Sequence, residues 1–502
     1  MFYLVSTILL VLLPCAAVAF LTSRPRDFPR NVPVIPLWLQ AHNQIFRKSR
    51  IAFYNTKVRP QAEKHGAVAV WQGNCWSIVL SRPDYLAQVF KDSNKDVEKS
   101  GIWSRVPRSN GGLLFGENII DSNGELHADF CNILKPALLQ RFAIDFMRSE
   151  SSSLANRLHD AQQLDVSNVG ISIDSLIWRW AVTIYSHYFM DIDEWPLSFE
   201  QTSAQKITAL QSSSWMARAM VIFNVTFSLP WRPASYRKAA AVIQQLEDTL
   251  VDIAESRIFP ASGTSELKMV HHLVRARHSG KLSDFHYRSN LKQLLVAGHE
   301  NVEAALQSAM FNLAVHVDIQ EQLHSEVMNM LPSDYTSGDI DRLPLLAAVI
   351  YETLRLYPPL GTLTNRRTVK PMQLGSEILL PAGTMVGWNV LGVQTDPQVW
   401  GESAREFDPF RWGHDIDSIK SMARSSQARG RFVPFSLHSR RCLGSTFALL
   451  ELKVALCELV RSIKWKQPKR KEFLFNEVNT FPRCREMLHQ KLRSCANNNS
   501  HL

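Results

Sequence analysis

Cys442 is the residue best placed to do chemistry. It closes the run Phe432-Val433-Pro434-Phe435-Ser436-Leu437-His438-Ser439-Arg440-Arg441-Cys442-Leu443-Gly444 and stands just before an amphipathic stretch, Ser445 to Lys464. A lone cysteine is most often a small buried hydrophobe. Here adjacent arginines and the start of a helix both favour thiolate over thiol. A thiolate is a strong donor to iron. Arg440 has the fork geometry that suits a carboxylate. Gly444 lets the backbone lie flat against a planar group, and Phe435 can shield the sulfur from water. A second candidate is Ala297-Gly298-His299-Glu300-Asn301, a polar run inside an otherwise apolar helical pattern. It reads either as an ordinary polar turn or as a functional one, and burying such a run without purpose is costly. Glu352 and Arg355 share a helix face at i and i+3 and can pair. Alone, that spacing usually marks a surface ion pair.

Together these stretches resemble the cytochrome P450 family. Its cysteine loop reads F-x-x-G-x-R-x-C-x-G, and Phe435, Arg440, Cys442 and Gly444 match. His438 departs from it, standing where the family usually has glycine, so a Cβ enters the turn. The form F-x-x-H-S-R-x-C-L-G is similar to one in a fungal subset. Glu352-Thr353-Leu354-Arg355 matches E-x-x-R, and Phe407-Asp408-Pro409-Phe410-Arg411-Trp412 matches F-x-P-x-R-W. The resemblance implies haem b, iron protoporphyrin IX, with the Cys442 thiolate as axial ligand. It implies a triad of Glu352, Arg355 and Arg411 that holds the cysteine loop. It assigns Arg440 and Arg366 to the haem propionates, with Arg367 as the alternative to Arg366.

Ala297 to Asn301 resembles the family's A-G-x-[DE]-T. Small residues there, Gly298 among them, are expected to leave room for dioxygen and to let the helix widen. Glu300 and Asn301 then form the proton-delivery pair, with an amide where the family has a hydroxyl. The family's W-x-x-x-R is missing. His127 and Cys131 stand at its ends, and only His127 can donate to a carboxylate.

The implied reaction is oxidation of a lipophilic small molecule with O2, using two electrons delivered singly by NADPH-cytochrome P450 reductase. Thiolate electron density promotes O–O cleavage. Two alternatives stay open: a haem-thiolate isomerase, dehydratase or peroxygenase without external reductant, which Asn301 keeps in view, and a non-catalytic haem-binding protein. Expected pocket stretches are Gly101 to Phe115, Trp215 to Trp231, Leu294 to Asn301, Leu360 to Thr364 and Thr480 to Arg483. Trp215, Met216, Met220, Ile222, Phe223 and Phe227 make the second very apolar, fit for a lipophilic substrate or a membrane surface. By resemblance the setting is fungal secondary metabolism.

Other elements must position these residues. With 45% hydrophobic residues in 502, the chain can bury a large core. A spread-out formal charge of +10 suits an acidic partner or an anionic membrane. No basic run carries interleaved aromatics, so nucleic acid is not expected. Seven cysteines, an odd count without C-x-x-C spacing, exclude a disulfide framework or a zinc finger. Residues 1–23 hold no charged side chain and Arg24, Arg26 and Arg30 follow, so a single-pass anchor with a cytoplasmic globule is expected, in the endoplasmic reticulum. The rival is a signal peptide ending near Ala17-Val18-Ala19, but it lacks a basic n-region. Proline-rich residues 24–36 read as a stiff linker, and 37–502 as the haem-thiolate domain. Ala67 to Leu80 reads as a hairpin about Gly73-Asn74. Helices are expected over Asn290 to His316, over 318–330 behind an Asp318 cap, and over Leu343 to Leu356. The fold class is mainly α with a small β part, one cytochrome P450-type domain.

Overall fold

The computed structural model describes residues 23–46, 49–72, 75–91, 95–165, 170–193, 195, 204–223, 232–257 and 267–466. Alternating apolar side chains over Ala67 to Leu80 make an antiparallel hairpin at one edge of a sheet. The strands, in chain order, are β1 (Ala67–Gln72), β2 (Cys75–Leu80), β3 (Val97–Lys99), β4 (Thr362–Thr368), β5 (Met372–Leu374), β6 (Ile378–Leu380) and β7 (Met385–Asn389). Five of them form a sheet in the order β1-β2-β7-β4-β3, and β5 pairs with β6 alone. The turn expected at Gly73-Asn74 lies outside the described residues.

The segment read as a free linker instead lies on this sheet. Phe28, Val32 and Ile35 are buried, and Ile35 N donates to Ala69 O at 3.0 Å while Ala69 N donates to Pro33 O at 2.8 Å. Proline density opposes helix. It leaves open whether the extended chain is a spacer or an edge, and here apolar residues between the prolines dock it.

The helices that bear on the site are α1 (Leu37–Ile45), α2 (Gly124–Leu138), α3 (Asp174–Tyr185), α4 (Trp215–Phe223), α5 (Asp284–Val315), α6 (Val317–Met330), α7 (Pro344–Leu356) and α8 (Ser445–Ser462). Pro344 sits at the first turn of α7, where its missing N–H costs nothing. Helix α6 starts behind His316, so Asp318 lies within its first turn and is not the cap. In α8, Leu452, Leu456 and Leu459 are buried, as is Ile463 just beyond. The long helix α5 packs against α3, α7 and α8. It is buried on nearly all sides, which explains its mixed, weakly striped pattern. Among the described residues no helix is long and apolar enough to cross a membrane. The anchor expected at 1–23 falls outside them, apart from Ser23.

Candidate active site

The cysteine loop is folded by its own backbone. Cys442 N donates to Phe435 O at 2.8 Å, Arg441 N to His438 O at 3.1 Å, and Ser436 N to Val433 O at 3.2 Å. Two residues take positive φ, Ser436 at 60° and His438 at 54°. That left-handed conformation costs a side chain about 1–2 kcal/mol, and glycine adopts it freely. His438 therefore occupies a backbone where glycine is the easier residue. His438→Gly is expected to raise unfolding stability by about 0.5–1 kcal/mol, after the larger unfolded-state entropy of glycine is set against the relieved strain. A lower melting temperature for the variant would refute this.

Cys442 keeps an exposed surface, yet protein atoms crowd its thiol. Both hold for a sulfur at the floor of a recess. Burial pushes this thiol up, while the Gly444 N–H and the Arg441 charge pull it back. The protein alone thus does not secure the thiolate expected from the helix start and arginines; a coordinated metal deprotonates a thiol outright. Of the two arginines, Arg441 acts on the sulfur. Arg440 turns away and donates to Ser122 O at 2.7 Å. Phe435 is half-buried and packs on the main core.

Glu352, Arg355 and Arg411 do meet. Arg355 Nε and Nη2 each lie 2.7 Å from a Glu352 oxygen, and Arg411 Nε lies 3.1 Å from Oε1. Glu352 and Arg355 are fully buried. Asp408 N and Trp412 Nε1 also donate to Glu352, both at 3.0 Å. Arg355 Nη1 donates to Gln394 O and Ala404 O at 2.7 and 2.6 Å. The Gln394 side chain continues the chain of contacts, accepting from Val433 N at 2.8 Å. Trp412 meets Phe432 edge-on at 4.8 Å. Two routes therefore run from the triad into the cysteine segment. Gln394 and Trp412 are the connecting residues that sequence reasoning missed.

A set of cations gathers on the sheet side. Register places Arg366 opposite Lys99 and Arg367 opposite Glu98. Alternation puts these pairs on opposite faces. Arg367 is half exposed and bonds Glu98 at 2.7 Å. Arg366 is buried and stacks over Phe90 and Trp388, its guanidinium 4.6 and 4.4 Å from their ring centres. Burial and the nearby Arg440 charge pull Arg366 down to about 9. Of the two, Arg366 is the buried one and lies beside Arg440. Against β7, strand β4 carries a bulge between Thr364 and Arg366. His127, on α2, adjoins the same group. Burial first, then Arg440, Lys99 and Lys135, pulls its imidazole down to about 4. At neutral pH it therefore offers one N–H and no charge. Cys131 lies 3.6 Å from its Nε2.

On α5, Glu300 is buried, and Asn301 Nδ2 reaches back to Ala297 O at 3.4 Å. His299 Nδ1 lies 2.7 Å from Leu295 O. At Gly298 a Cβ would come within 2.3 Å of the Tyr185 ring. The close approach of α3 therefore requires glycine here. Helix α5 does not widen at this point, because it stays α-helical throughout. Of the stretch Trp215 to Trp231, Phe227 and Trp231 lie outside the described residues, as do Thr480 to Arg483. Met220 and Ile222 are buried, but Trp215 and Met216 face outward.

The Cytochrome P450 family model matches residues 28–483. The chain belongs to the cytochrome P450 family. It is 33% identical over 453 residues to the Cytochrome P450 monooxygenase xanG of Aspergillus fumigatus, covering 88% of this chain and 83% of that protein. It is 31% identical over 472 residues to Cytochrome P450-DIT2 of Saccharomyces cerevisiae, covering 91% and 92%. A plant relative, the 11-oxo-beta-amyrin 30-oxidase of Medicago truncatula, is 23% identical over 441 residues, covering 82% of this chain and 78% of that protein.

As a P450 monooxygenase the chain implies a haem-thiolate cofactor, and its residues fit one. Among the described residues no group of three or more His, Cys, Asp or Glu side chains could hold a metal ion. Gly444 has an ordinary φ of −82°, and a Cβ there would meet no protein atom. Nothing within the protein demands glycine at 444, but a flat group against the backbone does. Arg366, Arg440 and Lys99 are three cations close enough to act on one another, a set that suits a ligand bearing carboxylates.

Proposed function

We propose that this cytochrome P450 oxidises a lipophilic small molecule with O2, drawing two electrons singly from an NADPH-dependent flavin reductase. The observation that carries this is Glu300, a carboxyl buried beside Asn301 in the middle of α5. When bound, the haem supplies dioxygen activation and transfer of one oxygen atom to substrate. The residues do the rest. Cys442 would hold the haem through its sulfur, with the Gly444 N–H supporting the negative charge. Arg366, Arg440 and His127 would hold the propionates. Glu300 exchanges protons, and Asn301, which cannot relay one itself, fixes a water through its amide.

Asn301→Ala is expected to bind haem normally and waste electrons, with NADPH consumed per product rising several-fold. Asn301→Thr is expected to stay largely coupled. If Asn301→Ala and Glu300→Ala both keep full coupling, the pair is structural. Product formed without NADPH or reductase would favour an isomerase, dehydratase or peroxygenase, the reading that the amide at 301 supports.

We place the chain in the endoplasmic reticulum membrane, with the catalytic domain cytoplasmic. Residues 1–23 act as the anchor and the domain starts near residue 28. Trp38 is 71% exposed, Phe46 65% and Trp215 64%. They lie at two touching helices, α1 and α4, tied by Arg218 Nε donating to Ile45 O at 2.7 Å. Exposed tryptophans favour a bilayer interface. Deleting residues 1–23 is therefore expected to leave a membrane-bound fraction, which Trp38→Glu with Trp215→Glu then releases. Full solubility after the deletion alone would remove this second contact. The fungal relatives and the His438-Ser439-Arg440 form of the loop support a role in fungal secondary metabolism.

A further inference from the structure

A line of polar side chains runs along one side of α5. Glu300, Glu303 and Gln307 stand at i, i+3 and i+7, a spacing that keeps them on one helix face. All three are buried, and so are the apolar residues among them, Val302, Ala304, Ala305 and Leu306. The line starts at the carboxyl beside Asn301 and leads toward the C-terminal end of the helix.

Helix α3 lies antiparallel along this line. Its last residue, Tyr185, meets Gly298, and its first, Asp174, meets Gln307. Gln307 Nε2 donates to Asp174 Oδ1 at 3.4 Å and to Glu303 Oε1 at 3.3 Å. One amide thus bridges two carboxyl groups on two helices. Carboxylate oxygens only accept, so its NH₂ faces both. Both contacts are long and share one nitrogen, so a single water can span the gap between the carboxyls. Gln307 Oε1 is buried and accepts from no protein group among the described residues, which leaves it open to such a water. Asp174 itself is partly exposed, and Ser172 and Ser175 beside it are exposed. The line therefore begins at a buried acid and ends at a carboxyl in contact with solvent. His299, the other polar neighbour of Glu303 on α5, turns to its own helix and donates from Nδ1 to Leu295 O at 2.7 Å.

We propose that Glu303, Gln307 and Asp174 form the route by which protons from solvent reach Glu300. The proposal rests on the reading above in which Glu300 exchanges protons. Only O–H bonds form and break, and no electron moves. When Glu300 has given up a proton, the Glu303 carboxyl passes its own to it. Side chains at i and i+3 stand about 5–6 Å apart at Cβ, close enough for that transfer directly or through one water. The Glu303 carboxylate then takes a proton from the water that Gln307 holds. That water takes one from the Asp174 carboxyl, and Asp174 is reprotonated from bulk solvent. Gln307 carries no proton and positions the water. Glu303 and Asp174 act through Glu300.

The test compares Glu303→Gln and Asp174→Asn with Glu300→Gln in the full-length holoenzyme. Each amide keeps the size and the hydrogen bonds of the carboxyl but has no acidic proton to pass, so a purely structural bridge would survive the change. NADPH consumed per product is expected to rise several-fold in all three, and the slowing of product formation by D2O is expected to grow. Haem content and melting temperature are expected to stay near wild type. Glu303→Asp keeps the acid and is expected to recover most of the coupling. The double variant Asp174→Asn with Glu303→Gln is expected to be no worse than the poorer single one, because steps in series are not additive. If Glu303→Gln loads no haem, Asp174→Asn at the solvent end carries the same comparison. A crystal structure of the holoprotein gives a readout independent of turnover, an ordered water within hydrogen-bond reach of Gln307 and both carboxyls. A protein side chain in that place overturns the proposal. So does full coupling in Glu303→Gln and Asp174→Asn while Glu300→Gln uncouples. Full coupling in Glu300→Gln as well would instead overturn the reading of Glu300 on which the proposal rests.

Discussion

Cys442→Ala is expected to abolish the long-wavelength band of the reduced carbon monoxide complex completely, with no residual fraction. That band needs a thiolate trans to carbon monoxide, and no other described cysteine can supply one. Cys457 is fully buried in α8, and burial pushes its thiol far up. Cys131 is buried against His127, and Cys75 sits at the start of β2 beside Ser77. The loop backbone should survive the change, because its hydrogen bonds run through Cys442 N and Phe435 O and not through sulfur. The variant should therefore fold and retain some haem through Arg366 and Arg440, which separates loss of the ligand from loss of the fold. Single Ala replacements at Cys75, Cys131 and Cys457 should each keep the band. A normal band in Cys442→Ala would falsify its role as ligand.

The parts of the site legible in sequence are those whose chemistry sits at short, fixed spacing. Arg440, Cys442 and Gly444 lie within five residues, and Glu352 and Arg355 are one helical step apart, so short motifs could carry the family resemblance that singled them out. The helices around them were readable for a related reason: α7 and α8 have clear apolar stripes and a proline or cysteine loop at their ends. What stayed hidden depends on register. Arg366 and Arg367 are adjacent, and only the pairing to Lys99 and Glu98 decides which one faces inward. Lys99 carries no local signature at all, because its meaning comes from a strand far away in the chain. Gly298 shows the converse failure. A glycine announces that something approaches closely, but not what, and here the neighbour is Tyr185. Gln394 receives an arginine through its backbone carbonyl, and a carbonyl leaves no mark on residue type. The prolines of 24–36 read as a stiff linker, but the segment turns at residues 26–27 and 30–31, and Phe28 and Val32 decide where it rests.

Glu352→Ala is expected to leave little or no haem-loaded protein. Glu352 accepts from Arg355, Arg411, Asp408 N and Trp412 Nε1 in a site of zero exposure. Removing it strands two guanidinium groups, one of them fully buried, and leaves two further donors short of an acceptor. Breaking a buried pair by deleting one partner costs about 3–5 kcal/mol, set against a total stability on the order of 5–15 kcal/mol. The damage is also directed. Arg355 fixes Gln394 O, Gln394 fixes Val433 N, and Trp412 packs Phe432, so both routes into the cysteine segment start at this carboxylate. Arg355→Lys should fail nearly as badly, since an ammonium cannot bond both Glu352 oxygens and also reach Gln394 O and Ala404 O. Arg411→Ala should be the mildest of the set, because Arg411 is the least buried member and the bidentate pair survives it. Haem content per chain and the urea midpoint, measured together, give the order Glu352→Ala, Arg355→Lys, Arg411→Ala from worst to best. Equal, wild-type haem content in all three would mean that the triad is incidental to the loop. A fall in midpoint with haem content unchanged would mean that the triad serves the fold and not the cysteine segment. The connections through Gln394 and Trp412 require both quantities to fall together.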